Sequence, residues 1–102
     1  MFSDDIEEVY SARDFVFSGC AMQYSVFRAE EEPDCIRNDP DRANPISVAT
    51  KDSIIRCIAS LNVPERFYPD FEQEYTYTVG KELTYVIYFP ETHMLRVIVI
   101  GH

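Results

Sequence analysis

The residues with the most versatile side-chain chemistry in this chain are three cysteines and two histidines. They are widely separated in the sequence, at Cys20, Cys35, Cys57, His93 and His102. A thiol enzyme needs a cysteine beside a histidine that accepts its proton, and nothing in the sequence brings such a pair together. Zinc sites use clustered ligand pairs, and disulfide frameworks use an even number of cysteines in a secreted chain. We therefore expect reduced thiols and no metal centre.

One further motif, Asp39-Pro40-Asp41, has the residue types of a cation site. It lacks the regular ligand spacing, the central glycine and the closing glutamate of a calcium loop. The three glycines of the chain are far apart, which argues against a phosphate-binding loop. Basic residues are too few and too scattered for direct nucleic-acid binding. The sequence predicts no catalytic residue and no cofactor, and we expect the protein not to be an enzyme.

Charge is the most unusual property of the chain, with 18 Asp and Glu against 9 Lys and Arg and a formal charge of −9. Such a charge destabilises a compact fold through self-repulsion. It also speeds association with a basic partner and fixes the register of the complex. If residues 70–74 are extended, their alternate side chains share one face at about 6.6 Å spacing. We predict that a partner binds at nine carboxylates: Glu30, Glu31, Glu32, Asp34, Asp39, Asp41, Asp70, Glu72 and Glu74.

An acidic surface interleaved with Tyr and Phe suits a cationic groove that normally holds RNA, DNA or a phosphorylated substrate. We therefore predict a protein-binding inhibitor that mimics nucleic acid and blocks a basic protein or ribonucleoprotein complex, without binding nucleic acid itself. Immunity proteins, antitoxins and phage anti-defence proteins, such as anti-CRISPR proteins, all meet this description. The alternative is a small enzyme or ligand-binding domain that uses the aromatic face of a sheet. An enzyme would bury a carboxylate or His93 in a cleft.

Length and composition predict one folded domain over residues 1–102. Hydrophobic residues make up 46% of the chain, which is too many for a disordered protein despite the charge. The opening residues lack the basic and apolar stretches of a secretory signal. No apolar run approaches the roughly 20 residues of a membrane span. We expect a cytoplasmic protein.

A helical pattern dominates the first quarter of the chain. Asp4 has the position of a helix N-cap, and Glu7 follows at the spacing of a capping box. Apolar residues then recur at roughly helical intervals as far as Arg28. The β-favouring run at 15–17 leaves two alternatives open, a break near Asp14 or a strand over Phe15–Phe27.

The middle of the chain predicts a loop, a short strand and a second helix. Proline, Asn and Asp residues between Glu30 and Asn44 favour turns, and the loop is long for a compact domain. Residues Ile46–Ala49 are predicted to form the strand, and Thr50 to cap the helix. Asn62 is predicted to end the helix in a left-handed conformation, and Pro64 prevents its continuation. The apolar face of the helix consists of Ile54, Ile55, Ile58 and Leu61.

The last thirty residues predict an antiparallel meander. Three alternating runs, at 75–79, 83–89 and 95–99, are separated by turns at Gly80-Lys81 and at 90–93. The predicted fold class is α+β, with a helical N-terminal part and a second short helix packed on a three- to four-stranded antiparallel sheet.

Part of this meander is similar to the last strands of bacterial toxins of the RelE/ParE superfamily. The similarity lies in Val79-Gly80-Lys81, Val86-Ile87-Tyr88 and the final run from Val97 to His102. It implies a shared local strand pattern only. Those toxins are basic and this chain is acidic, so no function or site residue follows from it.

One face of the meander is expected to be core: Tyr75, Tyr77, Leu83, Tyr85, Ile87, Phe89, Val97 and Val99. The opposite face is also largely apolar, which is unusual for a sheet face in water. The third strand of the meander is predicted to be an unprotected edge. Either a strand such as Ile46–Ala49 covers this edge, or a second copy of the chain does. We favour a homodimer formed through Val86, Tyr88, Arg96, Ile98 and Ile100.

Overall fold

The protein folds as a five-stranded antiparallel sheet that carries one long helix, and it belongs to the α+β class. The computed structural model describes residues 6–15, 21–80 and 84–99. The strands are β1 (Glu7–Phe15), β2 (Ala21–Arg28), β3 (Thr76–Gly80), β4 (Thr84–Phe89) and β5 (Met94–Val99). The helices are the single turn α1 (Asp34–Arg37) and the longer α2 (Val48–Ser60), with a 3-10 turn at Glu65–Phe67. The strand order is β1-β2-β5-β4-β3.

The predicted helical N-terminal part is wrong, because this part of the chain is the hairpin of β1 and β2. Tyr10 and Ala12 of β1 lie opposite Val26 and Tyr24 of β2, and all four join the same apolar cluster. The intervening positions point to the other face of the sheet. The side chains therefore follow the two-residue period of a strand and not the helical period.

The predicted capping box is contradicted at Glu7. Asp4, the predicted N-cap, lies outside the described residues, and Glu7 is the first residue of β1. The alternative strand over Phe15–Phe27 is closer to the structure, since β2 covers most of it. Because β2 pairs with both β1 and β5, the sheet has five strands and not the three or four predicted.

The predicted strand Ile46–Ala49 is also wrong, because α2 begins within it. Ser47 is the N-cap residue, and its hydroxyl oxygen accepts a hydrogen bond from the Thr50 N–H at 3.2 Å. Thr50, the predicted cap, lies in the first turn. Ile46 is buried, and its N–H donates to the hydroxyl of Tyr75 at 2.9 Å. Two hydrogen bonds thus fix the start of the helix.

The end of α2 confirms the predicted left-handed terminator. Asn62 has a φ of 57°, and its N–H donates to the carbonyl of Ala59 at 3.1 Å. The Val63 N–H donates to the carbonyl of Ile58 at 3.4 Å. The side chains of Val63 and Ile58 both lie in the core. This is the Schellman arrangement, which pairs the last carbonyls of a helix.

Both faces of the sheet are covered. The first face packs against Ile54 and Ile58 of α2 and against the aromatic segment at 67–75. We call it the helix face. The second face packs against Ile36 of α1, and we call it the loop face. The buried apolar residues that surround Ile36 are Ala29, Val86, Tyr88 and Leu95.

The side chains of β5 point to the faces of the sheet opposite to those predicted. Its position 96 pairs with Val26 and Ile87, which lie on the helix face. Val97 therefore belongs to the loop face, together with Val99, and not to the predicted core face. The error arose because both faces of β5 are buried, so that nearly every position is apolar and alternation carries little information.

The premise of the predicted self-association, that the third strand of the meander is an edge, is wrong. Strand β5 lies in the centre of the sheet between β2 and β4 and is not an edge. Ile100 lies outside the described residues. The other residues of the predicted interface are all buried within the chain: Val86, Tyr88, Arg96 and Ile98.

Candidate partner-binding site

The acidic loop, residues 30–44, is attached to the loop face of the sheet by one apolar side chain. Ile36 is fully buried and packs in the cluster formed by Val86, Tyr88 and Leu95. Burial of an isoleucine side chain contributes about 1.5–3 kcal/mol. The predicted loop is thus a folded structure that contains the helical turn α1.

Two carboxylates of the loop are held by threonines of β3. The Thr76 hydroxyl donates to Oε2 of Glu32 at 2.5 Å, and the Thr78 hydroxyl donates to Oδ2 of Asp39 at 2.6 Å. Alternate residues of a strand share one face and lie about 6.6 Å apart. Thr76 and Thr78 therefore present the two carboxylates side by side along the same strand.

Hydrogen bonding of the main chain also joins the loop to β3. The N–H of Tyr77 donates to the carbonyl of Arg42 at 3.1 Å, so the loop covers part of the outer edge of β3. Nε of Arg42 lies 3.5 Å from Oε1 of Glu32. Covering an edge in this way protects a sheet from pairing with other chains.

The surroundings of Asp39 favour its charged form. The hydrogen bond from Thr78 is the largest cause of a lowered pKa at Asp39, and a second hydrogen bond from the Asp41 N–H acts in the same direction. The Asp41 N–H lies 2.9 Å from Oδ1 of Asp39. This carboxylate is therefore ionised at neutral pH and fixed in position.

The N-terminal end of the loop is fixed beside the turn between β4 and β5. The N–H of Ala29 donates to the carbonyl of His93 at 2.8 Å, and the Tyr88 hydroxyl donates to the carbonyl of Ala29 at 2.9 Å. Nδ1 of His93 lies 3.2 Å from the carbonyl oxygen of Glu30. Burial, reinforced by the nearby glutamates, raises the pKa of Tyr88, so its phenol remains a proton donor.

Two arginines reduce the charge of the loop. Nη1 of Arg37 lies 3.1 Å from Oδ1 of Asp34, and Nη2 of Arg37 lies 3.9 Å from Oε2 of Glu31. These pairs are exposed, and exposed pairs contribute little stability. Four carboxylates of the loop remain at the surface: Glu30, Glu31, Asp34 and Asp41.

The second predicted cluster is a turn and not an extended segment. The Gln73 N–H donates to the carbonyl of Asp70 at 3.1 Å, and the Glu72 N–H donates to Oδ1 of Asp70 at 3.0 Å. Phe71 anchors the turn, with its ring 5.5 Å from that of Tyr75. Asp70, Glu72 and Glu74 are all exposed, but the predicted regular spacing along one face does not apply.

The nine predicted partner-binding residues thus divide into two groups, six in the acidic loop, which packs on the loop face, and three in the turn that Phe71 anchors on the helix face. Glu32 is bonded to Thr76, two residues after Glu74. Sequence reasoning missed the residues that position the loop: Arg37, Arg42, Thr76, Tyr77 and Thr78. The alternation of threonines in β3 was the available signal, because it places two hydroxyl groups on one face.

The two described cysteines, Cys35 and Cys57, differ in exposure. Cys35 is exposed and Cys57 is half-buried, and partial burial raises the pKa of both thiols. Cys20 lies outside the described residues. Within the described ranges, no group of three or more His, Cys, Asp or Glu side chains is placed to hold a metal ion.

Comparisons with models of known families, with curated proteins and with solved structures find no match to this chain. In residues 6–15, 21–80 and 84–99, no helix has the length and apolar character needed to cross a membrane.

Proposed function

We propose that this protein is a stoichiometric inhibitor that binds a basic, nucleic-acid-handling protein or ribonucleoprotein complex through its acidic loop. The observation that carries the proposal is the attachment of the loop to β3 through Glu32, Asp39 and Arg42. A loop that is ordered before binding loses less conformational entropy when the complex forms. Its exposed carboxylates then take the positions of phosphates in the cationic groove of the partner.

The charge distribution supports the same function. Four carboxylates of the acidic loop are exposed together on the loop face of the sheet: Glu30, Glu31, Asp34 and Asp41. The field of these carboxylates accelerates encounter with a cationic surface and orients the two proteins. An immunity, antitoxin or anti-defence role fits this chemistry, in the cytoplasm where nucleic-acid-handling complexes work.

The proposal can be tested by capture from an extract of the native host. The bait is the full chain, and the test variant carries Glu30→Gln, Glu31→Gln, Asp34→Asn and Asp41→Asn. The matched control removes four exposed charges elsewhere: Glu7→Gln, Glu8→Gln, Asp52→Asn and Glu65→Gln. Mass spectrometry identifies the captured proteins, and a binding assay then measures the association rate at two salt concentrations.

We expect a basic nucleic-acid-handling protein to be captured by the wild type and the control but not by the loop variant. Its association rate should fall steeply between low and physiological salt, because exposed charges are screened beyond about 8–10 Å. Equal capture by the loop variant, or an association rate independent of salt, would show that the acidic loop is not the binding surface.

The second candidate is a ligand-binding domain that uses the aromatic helix face of the sheet. One observation favours it, which is the charged side chain of Arg96 buried on that face.

A further inference from the structure

The chain crosses the outer edge of the sheet between the acidic loop and α2. Asp39 lies on the loop face, where the Thr78 hydroxyl donates to its carboxylate at 2.6 Å. Arg42 lies at the edge, where its carbonyl accepts the Tyr77 N–H at 3.1 Å. Ile46 lies in the apolar cluster of the helix face. The chain therefore passes around β3 from one face of the sheet to the other.

Two tyrosines and a valine form a partly exposed corner of the helix face beside this crossing. Val79 of β3 lies opposite Tyr85 of β4, and 46% of Val79 is exposed. Tyr77 precedes Val79 on the same face of the strand, and both tyrosines are half-buried. The ring centre of Tyr77 lies 6.4 Å from that of Tyr75. We call Tyr77, Val79 and Tyr85 the aromatic corner.

Carboxylates of the crossing segment lie close to the aromatic corner. Asp41 is exposed, and its N–H donates to Oδ1 of Asp39 at 2.9 Å. Burial raises the pKa of Tyr77, and the charges of Asp39 and Asp41 act in the same direction. A carboxylate opposes the ionisation of a phenol only at short range. The hydroxyl end of Tyr77 therefore lies near both carboxylates, one of which is exposed.

A guanidinium group is complementary to this combination of a ring and a carboxylate. It stacks on the face of an aromatic ring, while its N–H groups pair with a carboxylate. A lysine ammonium is more strongly hydrated and lacks the planar shape that stacks. The protein shows each half of the arrangement elsewhere: Arg66 lies 4.7 Å from the ring centre of Phe67, and Nε of Arg42 lies 3.5 Å from Oε1 of Glu32.

We propose that the aromatic corner and Asp41 together bind an arginine side chain of the basic partner. This inference rests on the proposed function and names the group by which the partner is recognised. The guanidinium lies on the ring of Tyr77 and pairs with the carboxylate of Asp41, while Val79 contacts the aliphatic stem. Tyrosine and arginine are enriched among the residues that contribute most to protein–protein affinity. A second copy of the chain is a poorer occupant, because its net charge of −9 is repelled by the same surface.

The test is an NMR titration of the full-length, ¹⁵N-labelled protein with capped hexa-arginine and with capped hexalysine, at constant ionic strength. The amide resonances of Tyr77 and Val79 report binding at the corner. Tyr77→Leu removes the ring, and Tyr77→Phe keeps it. Tyr10→Leu is the matched control, because Tyr10 is a half-buried tyrosine of the same face on β1, at the opposite edge of the sheet.

We expect the wild type to bind hexa-arginine more tightly than hexalysine, with saturable shifts at Tyr77 and Val79. Tyr77→Leu should weaken hexa-arginine binding about two- to fivefold, the effect of one exposed cation–π contact, and should remove the preference for arginine. Tyr77→Phe and Tyr10→Leu should keep the preference, whereas Asp41→Asn should weaken the binding of both peptides. Equal affinities of the wild type for the two peptides, or a preference that survives Tyr77→Leu, would overturn the inference. So would saturable shifts confined to other parts of the protein, a result that decides the matter if Tyr77→Leu fails to fold.

The loop variant with four neutralised carboxylates separates this inference from the proposed function. It should bind both peptides more weakly, because the acidic loop supplies the attraction. If it binds both as tightly as the wild type, the proposed function and this inference fail together. If its binding weakens but the wild type shows no preference for arginine, only the arginine site is refuted. Sedimentation of the free protein tests the other occupant: a dimer that Tyr77→Leu dissociates would assign the corner to a second copy and overturn the inference.

Discussion

Replacing Tyr24 by phenylalanine removes one oxygen atom from the centre of the helix face and tests how that face is held together. The hydroxyl makes two hydrogen bonds, as donor to the carbonyl of Phe67 and as acceptor from Nε of Arg96. The first joins β2 to the segment after α2, and the second gives a buried guanidinium a hydrogen-bond acceptor. Tyr24 is only 1% exposed, so water does not replace either bond without rearrangement.

The magnitude follows from the two groups that lose their partner. A buried polar group left unpaired costs about 1–3 kcal/mol, and a charged one costs more. Tyr24→Phe should therefore lower the free energy of unfolding by about 2–5 kcal/mol. Since domains of this size are stable by about 5–15 kcal/mol, the midpoint of a urea transition should shift strongly. In an Arg96→Met background the cost should fall to about 1–3 kcal/mol, because only the carbonyl of Phe67 is then unpaired.

The assay is urea unfolding followed by far-ultraviolet circular dichroism, with the four members of the double-mutant cycle measured in parallel. Tyr85→Phe is the control, because Tyr85 lies on the same face and makes no side-chain hydrogen bond in the described structure. It should change the free energy of unfolding by about 0.5 kcal/mol or less. A loss below about 0.5 kcal/mol for Tyr24→Phe would refute the reasoning, as would a loss unchanged by Arg96→Met.

Two further predictions concern the loop and the helix. The Thr78 hydrogen bond lowers the pKa of Asp39, so its stabilisation is present above the unfolded-state pKa of about 3.9 and disappears as pH falls through the lower folded-state pKa. Thr78→Val should therefore destabilise the protein at pH 7 more than at about pH 2 in urea unfolding, and equal losses at both would contradict the assignment. Ser47→Ala should cost about 0.5–2 kcal/mol through loss of the N-cap, whereas Thr50→Ala should cost clearly less; the reverse order in thermal unfolding would restore Thr50 as the cap.

The C-terminal meander was predictable because its information is local. Strands β4 and β5 are joined by a short turn in which His93 has a φ of 57°, and their side chains alternate within a few residues of each other. Helix α2 was predictable for the same reason, since Ile54, Ile58 and Asn62 mark its buried face and its end. The predicted start failed only because the hydroxyls of Ser47 and Thr50 are both suitable for capping.

The N-terminal hairpin was not predictable from local pattern. Strand β2 is a strand because it pairs with β5, where Val26 lies opposite a residue 70 positions later in the chain. An isolated segment with apolar residues at mixed spacings of two, three and four is compatible both with the two-residue period of a strand and with the 3.6-residue period of a helix. The pairing partner, and not the segment itself, selects the strand.

The site was predictable in composition but not in structure. Acidic residues between Glu30 and Asp41 indicated a charged surface, and the structure leaves most of them exposed. That Glu32 and Asp39 bind hydroxyl groups of β3 depends on contacts between residues about 40 positions apart. The turn at Asp70 was missed because its side chain accepts the N–H two residues later, which competes with an extended conformation.

The register of β5 determines what Arg96 does. Side chains alternate along a strand, so a slip of one residue would turn Arg96 to the loop face, the face on which the acidic loop packs. There it would find carboxylates such as Glu32 and would serve as another counter-ion, as Arg42 does. In the observed register Leu95 occupies the loop face and packs against Ile36, while Arg96 lies on the helix face, where no described carboxylate forms an ion pair with it. The register of β5 thus places Arg96 and the acidic loop on opposite faces of the sheet.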